Sequence, residues 1–166
     1  MASRPIEIYV PLILASAAAR ESLLRVMHAL GDGTAVSDRQ TLAVYLSDLH
    51  AAVRGEIRIP VTIDVVDRPV RWEYAINIRA ASNTGFFPRF EGTLSITPVG
   101  SQSELWLQGT YQPPFGPIGV VLDRTVLRHA AKRSLHSFLQ RIANDIVSDE
   151  RASEKQHERD VRGMHQ

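Results

Sequence analysis

The sequence predicts an α+β fold in which a curved antiparallel sheet wraps round one long C-terminal helix, with an apolar pocket between the two. Three observations point to it. After Gly55 apolar and polar residues alternate with a period of two for about sixty residues, as in strands that bury one face. A corner rich in proline, Gln112-Pro113-Pro114-Phe115-Gly116-Pro117, then ends the strands. Beyond it Val120, Leu127, Ala131, Leu135, Phe138, Leu139, Ile142 and Ile146 recur at helical spacing, with Arg128, Lys132, Arg133, Gln140 and Asn144 on the other side.

Each element has its own signature. Ile6, Ile8 and Val10 alternate with Glu7 and Tyr9 in a short first strand that Pro11 closes. Ser16 is an N-cap for a helix carrying Leu23, Val26, Met27 and Leu30, and Gly31-Asp32-Gly33 terminates it. Ser37 and Gln40 form a capping-box pattern ahead of a second helix, with Leu42, Tyr45, Leu46, Leu49 and Val53 as its buried stripe and Gly55 as its stop. Two helices are thus expected after the first strand. The strands that follow carry Ile57 to Val65, Val70 to Ile78, Phe90 to Ile96 and Leu105 to Tyr111, joined at Asp67-Arg68-Pro69, Ser82-Asn83-Thr84-Gly85 and Pro98-Val99-Gly100-Ser101. Pro60 requires its strand to lie at an edge there or to bulge. The expected division is one domain over residues 1–148 and a charged, disordered tail over residues 149–166, whose only large apolar residues are Val161 and Met164.

Bulk properties narrow the function classes. The 166 residues, 44% hydrophobic and 22% charged, suit one globular domain, and 19 Lys+Arg against 18 Asp+Glu leave no overall field to hold nucleic acid. There is no cysteine, hence no disulfide framework and no thiolate, which suits a cytoplasmic location. Glu7 and Pro11 interrupt the apolar stretch from Ile6 to Ala19, which therefore does not read as a signal peptide, and no run of eighteen apolar residues exists to form a membrane span.

The stretch Leu107-Gln108-Gly109-Thr110-Tyr111-Gln112-Pro113-Pro114-Phe115-Gly116-Pro117-Ile118-Gly119, followed by Asp123 and the helix from Leu127 to Ile146, resembles the end of bacterial SRPBCC proteins. This is the START-like superfamily of polyketide cyclase/dehydrase and lipid-transport type. Trp72 after an arginine-bearing strand and Phe87-Pro88 before Gly92 are similar to it too, and the likeness spans roughly Ile6 to Val147. It implies a helix-grip fold, of the START and birch-pollen-allergen kind, whose cavity holds small hydrophobic molecules or lipids. Members include cyclases, hydratases, transporters and receptors, so the resemblance implies no particular ligand. The motif also has a physical reading: Gly109 admits close approach to a bent strand, Tyr111 packs its ring there, and the prolines stiffen the corner.

The residues expected to line a ligand pocket are Trp72, Tyr74, Phe90, Trp106, Tyr111, Leu127, Ala131 and Phe138, on the strands, the corner and the gripping helix. Trp106 alternates with Leu105 and Leu107, so it is either an exposed tryptophan or a pocket wall. No catalytic set stands out. The six histidines show neither H-E-x-x-H nor a compact set with a carboxylate, no G-x-S-x-G exists, and Gly31-Asp32-Gly33 is no phosphate loop. Neither a metal nor a cofactor is expected. Glu73, Asn77 and Arg79 point to water if the Trp72, Tyr74, Ile76 face packs inward, and Asp123 suits a helix N-terminus.

The leading expectation is binding or transport of a small hydrophobic ligand, lipid or polyketide, with no nucleic acid and no integral membrane association. A cyclase or dehydratase using Arg89, Tyr111 or Asp123 is the alternative, and a protein-interaction module with a filled cavity is the third reading. A homodimer is compatible with this sequence.

Overall fold

A computed structural model describes residues 4–29, 36–45, 56–68, 73–80, 89–112 and 124–163. Strand β1 (Arg4–Leu12) leads into helix α1 (Ser16–Ala29). Five strands follow: β2 (Val36–Tyr45), β3 (Glu56–Arg68), β4 (Glu73–Ala80), β5 (Arg89–Val99) and β6 (Gln102–Gln112). The 40-residue helix α2 (Arg124–Gly163) is last. The strands form one antiparallel sheet in the order β1-β6-β5-β4-β3-β2.

The second helix expected after β1 is corrected in part. Val36–Tyr45 is a strand, paired residue by residue with β3 from Val36 opposite Val65 to Tyr45 opposite Glu56. Ladder bonds along this whole length prevail over the local capping pattern of Ser37 and Gln40, because tertiary pairing routinely overrides weak helix signals. Residues 46–55, the rest of that expected helix, lie outside the described residues.

Prolines sit where the ladder can lose a donor. Pro11 does not close β1 but lies inside it, opposite Glu104, and β1 is at one end of the strand order. Pro60 lies opposite Thr41 on one side, and the β3–β4 pairing begins only at Val61 opposite Ala80. At the β5–β6 hairpin Val99 faces Gln102 across Gly100 and Ser101, and Gly100 takes φ 60°, the left-handed conformation such a tight turn needs.

The inner face of the sheet carries Ile6, Ile8, Val10 and Leu12 of β1, Leu105, Leu107 and Tyr111 of β6, Phe90, Leu94 and Ile96 of β5, Tyr74, Ile76 and Ile78 of β4, and Val61 and Ile63 of β3, all buried. Leu135, Phe138, Leu139, Ile142, Ala143 and Ile146 of α2 bury against the same core. Helix α2 packs against both β1 and β2, the opposite ends of the strand order. Six strands laid flat span about 24 Å, more than twice the width of a helix, so one helix reaches both ends only if the sheet curls round it. Ser103 of β6, buried opposite Leu12 at the end of β1, donates its hydroxyl to the Leu14 carbonyl at 2.9 Å, so its own burial is compensated.

Residues 149–163 continue α2 instead of fraying. Ala152, Glu154, Lys155, Gln156 and Arg159 are good helix formers, and between Asp149 and Arg162 there is neither glycine nor proline. The start of this stretch is tied to α1. The Arg25 guanidinium donates through Nε to Asp149 Oδ2 at 2.8 Å and through Nη2 to Glu150 Oε2 at 3.1 Å, and the buried Ser22 hydroxyl donates to the same Glu150 oxygen at 2.8 Å. Replacing Arg25 with Ala is expected to cost only about 1 kcal/mol, because its charges are partly hydrated. The local effect is larger: amide exchange over residues 149–163 should accelerate while that of β5 and β6 stays unchanged, as followed by hydrogen-exchange mass spectrometry.

Candidate ligand-binding face

Strand alternation and register together arrange the candidate residues. In β6 Ser103, Leu105, Leu107 and Tyr111 are buried while Gln102, Gln108, Thr110 and Gln112 are exposed, so odd-numbered positions face the helix. Tyr111 lies opposite Phe90 of β5, Phe90 opposite Ile78 of β4, and Ile78 opposite Ile63 of β3. These four side chains form one buried row across the sheet. Tyr74 belongs to a parallel row with Leu94 and Leu107. From the helix side come Phe138, buried in the core, and Ala131, partly buried against it.

Two glycines make room for that row. Gly92 and Gly109 lie opposite each other in β5 and β6, and the Phe90 ring lies over them. A Cβ on Gly92 would come within 2.5 Å of Phe90 Cζ and collide with the Gln108 carbonyl, while one on Gly109 would meet Gly92 Cα at 2.6 Å and the Glu91 carbonyl. The close approach expected at Gly109 is therefore real, and the side chain that exploits it is Phe90.

Tyr111 is 4% exposed, and burial pushes its phenol up to about 12, against a smaller opposing pull from the Arg4 guanidinium. Because the folded value lies above the unfolded value near 10, the stability linked to the neutral phenol is complete below pH 10 and is lost as pH rises through about 12. An absorbance titration at 295 nm should show a tyrosine step near that pH, and Tyr111→Phe should delete it.

Trp106 does not join the row. Its position in β6 puts it on the outer face, stacked on Tyr9 with ring centroids 5.1 Å apart at 24°, and its indole N–H donates to Glu104 Oε2 at 2.9 Å. Tyr9 is 53% exposed, so the pair is a cross-strand contact at the surface, and Trp106 is removed from the helix-facing set. Trp72 lies outside the described residues, as does the side chain of Leu127.

Groups considered for catalysis also separate. Glu73, Asn77 and Arg79 share the outer face, where Arg79 pairs with Asp64 at 3.1 Å, and Arg89 is a surface residue paired with Glu91 at 2.6 Å. Asp123 lies outside the described residues. His129 and His136 are exposed on α2, and among the described residues no three His, Cys, Asp or Glu are grouped to hold a metal ion. No helix among the described residues is long and apolar enough to cross a membrane.

One residue escapes a reading of the sequence alone. Arg4 lies opposite Tyr111 at the end of β1 and is half-buried, in phase with Ile6, Ile8 and Val10 on the inner face. The signal is present in the alternation itself, which extends backward from Ile6 onto an arginine.

No family model matches the chain, and no curated protein matches it in sequence. Solved structures resemble it in fold. A protein from Thermus thermophilus aligns at TM-score 0.55 and 12% identity over 87% of this chain and 98% of that one. The Zhui aromatase/cyclase from Streptomyces sp. R1128 aligns at 0.55 and 13% over 87% and 94%. Ara h 8.0201 aligns at 0.51 and 9% over 89% and 99%. The fold is of the helix-grip type. At these identities the likeness establishes architecture alone.

Proposed function

We propose that the chain binds and carries a small hydrophobic molecule, such as a lipid or polyketide, between the inner face of its sheet and α2. The observation that supports this most is the continuous apolar face of five strands, enclosed by a helix that reaches both ends of the sheet. The helix-grip architecture, shared with an aromatase/cyclase and with Ara h 8.0201, is compatible with such a site. Tyr74, Phe90, Tyr111, Ala131 and Phe138 are its proposed lining.

Native mass spectrometry of freshly purified protein, with extraction and identification of any bound molecule, tests the proposal. Tryptophan emission against fatty acids, sterols and aromatic polyketides complements it, in a Trp106→Phe background that removes the outer-face tryptophan. A stoichiometric apolar ligand supports the reading; no bound molecule and no emission change across the panel would overturn it.

A second reading, a cyclase or dehydratase, draws on one observation. The Tyr111 phenol lies on the buried inner face and, like any phenol, is protonated across the physiological range, so it can donate a hydrogen bond to a substrate carbonyl. Turnover of a polyketide-like substrate that Tyr111→Phe abolishes, with binding retained, would favour it over simple carriage.

A further inference from the structure

We propose that the ligand carries a carboxylate at one end, held by the Arg4 guanidinium and the Tyr111 hydroxyl at the margin of the apolar face. This deepens the hydrophobic-ligand proposal and rests on it. Arg4 and Tyr111 are directly opposite in the β1–β6 ladder and share the inner face by strand phase. Moving from them along that face, β1 presents Ile6, Ile8, Val10 and Leu12 and β6 presents Leu107 and Leu105, and Ser103 at the far end is bonded to the Leu14 carbonyl, so the charge and the uncommitted hydroxyl lie together at one end.

Neither donor is already engaged. Among the described residues the Tyr111 hydroxyl makes no hydrogen bond although its ring is buried, and Arg4 makes no ion pair. Other arginines of this chain, Arg25, Arg79 and Arg89, are paired with carboxylates. The Tyr111 hydroxyl is not among the buried polar atoms that lack a partner, so it keeps contact with solvent at the edge of the buried ring, where a ligand oxygen can accept from it. A guanidinium beside it adds charge, and together they offer a carboxylate one charge-assisted bond and one phenolic bond. The phenol is suited to this role because it stays a donor over the whole physiological range in which a carboxylate is ionised. An anion next to a phenolate would be repelled.

Calorimetric titration of the full chain at pH 7.5 compares dodecanoate with 1-dodecanol, and 2-naphthoate with 2-naphthalenemethanol. Each acid is expected to bind at least about tenfold more tightly than its alcohol. Arg4→Gln and Tyr111→Phe are each expected to weaken the acids about tenfold and the alcohols clearly less, with the Arg4 effect shrinking in high salt. Circular dichroism spectra matching the parent confirm that both variants are folded. Equal binding of acid and alcohol, or acid affinity unmoved by both variants, overturns the carboxylate proposal and leaves hydrophobic carriage standing. No binding by any of the four overturns both.

Discussion

Gly109→Ala is expected to destabilise the protein by about 3 kcal/mol or more, among the largest effects a single methyl can have. The added Cβ has three neighbours and none is free to retreat: the Glu91 carbonyl and Gly92 Cα belong to the paired strand, and Phe90 Cζ, 2.8 Å away, is held in the core. Relieving the clash requires β5 and β6 to separate, which would break the ladder that carries Phe90 opposite Tyr111. Thr110→Ala, one residue along on the exposed face, is the control and should change stability by less than about 0.5 kcal/mol. Urea unfolding followed by far-ultraviolet circular dichroism measures both. A near-neutral Gly109→Ala would mean that the two strands and the Phe90 ring are less tightly apposed than these distances require.

Leu139→Ala is expected to cost between about 2 and 5 kcal/mol. Leu139 has no exposed surface and lies in the middle of the α2 stripe, between Leu135 and Ile142, where α2 holds the curled sheet. Removing three carbons leaves a void that helix and sheet close only by moving together, and the ends of the sheet resist that movement. Its exposed neighbour Gln140 provides the comparison, with Gln140→Ala close to neutral. The unfolding midpoint should fall for Leu139→Ala with the denaturant slope unchanged, since nearly the same surface is exposed on unfolding.

The legibility of this fold in its sequence follows the strength of each local pattern. Strict alternation marks β1, β5 and β6, and the in-phase positions Ile6 to Leu12, Phe90, Leu94 and Ile96, and Leu105, Leu107 and Tyr111 are the buried ones, while Tyr9 and Val99 are exposed. The stripe from Leu135 to Ile146 is likewise the buried stripe of α2. Val36–Tyr45 reads as helix because Ser37 and Gln40 satisfy a capping box locally, whereas the competing fact, a full ladder with β3, depends on residues up to Val65. The charges after Ser148 correctly indicate a solvated surface. They say little about backbone conformation, and the partners that fix Asp149 and Glu150, Ser22 and Arg25, lie on α1.

The candidate site is legible to the same degree. Tyr74, Phe90, Tyr111 and Phe138 all lie on buried surface, since each falls in phase with its apolar neighbours. Trp106 falls out of phase and lands on the other face, where Tyr9 receives it. Aromatic character alone suggests it as a lining residue, and phase is the better guide. Arg4 illustrates the converse, because its charge discourages a reading that its phase supports.

The pairing of β1 with β6 also governs how the chain can reach this structure. Arg4 finds its partner only at Tyr111, so β1 leaves the ribosome with no hydrogen-bonding neighbour until about a hundred more residues have been synthesised. Helix α2, which covers the core, comes later still. Such long-range contacts slow the search for the native state, since loop closure precedes any reward. During that interval Ile6, Ile8, Val10 and Leu12 are apolar residues without their partner strand, and transiently exposed segments of this kind are where incompletely folded chains aggregate.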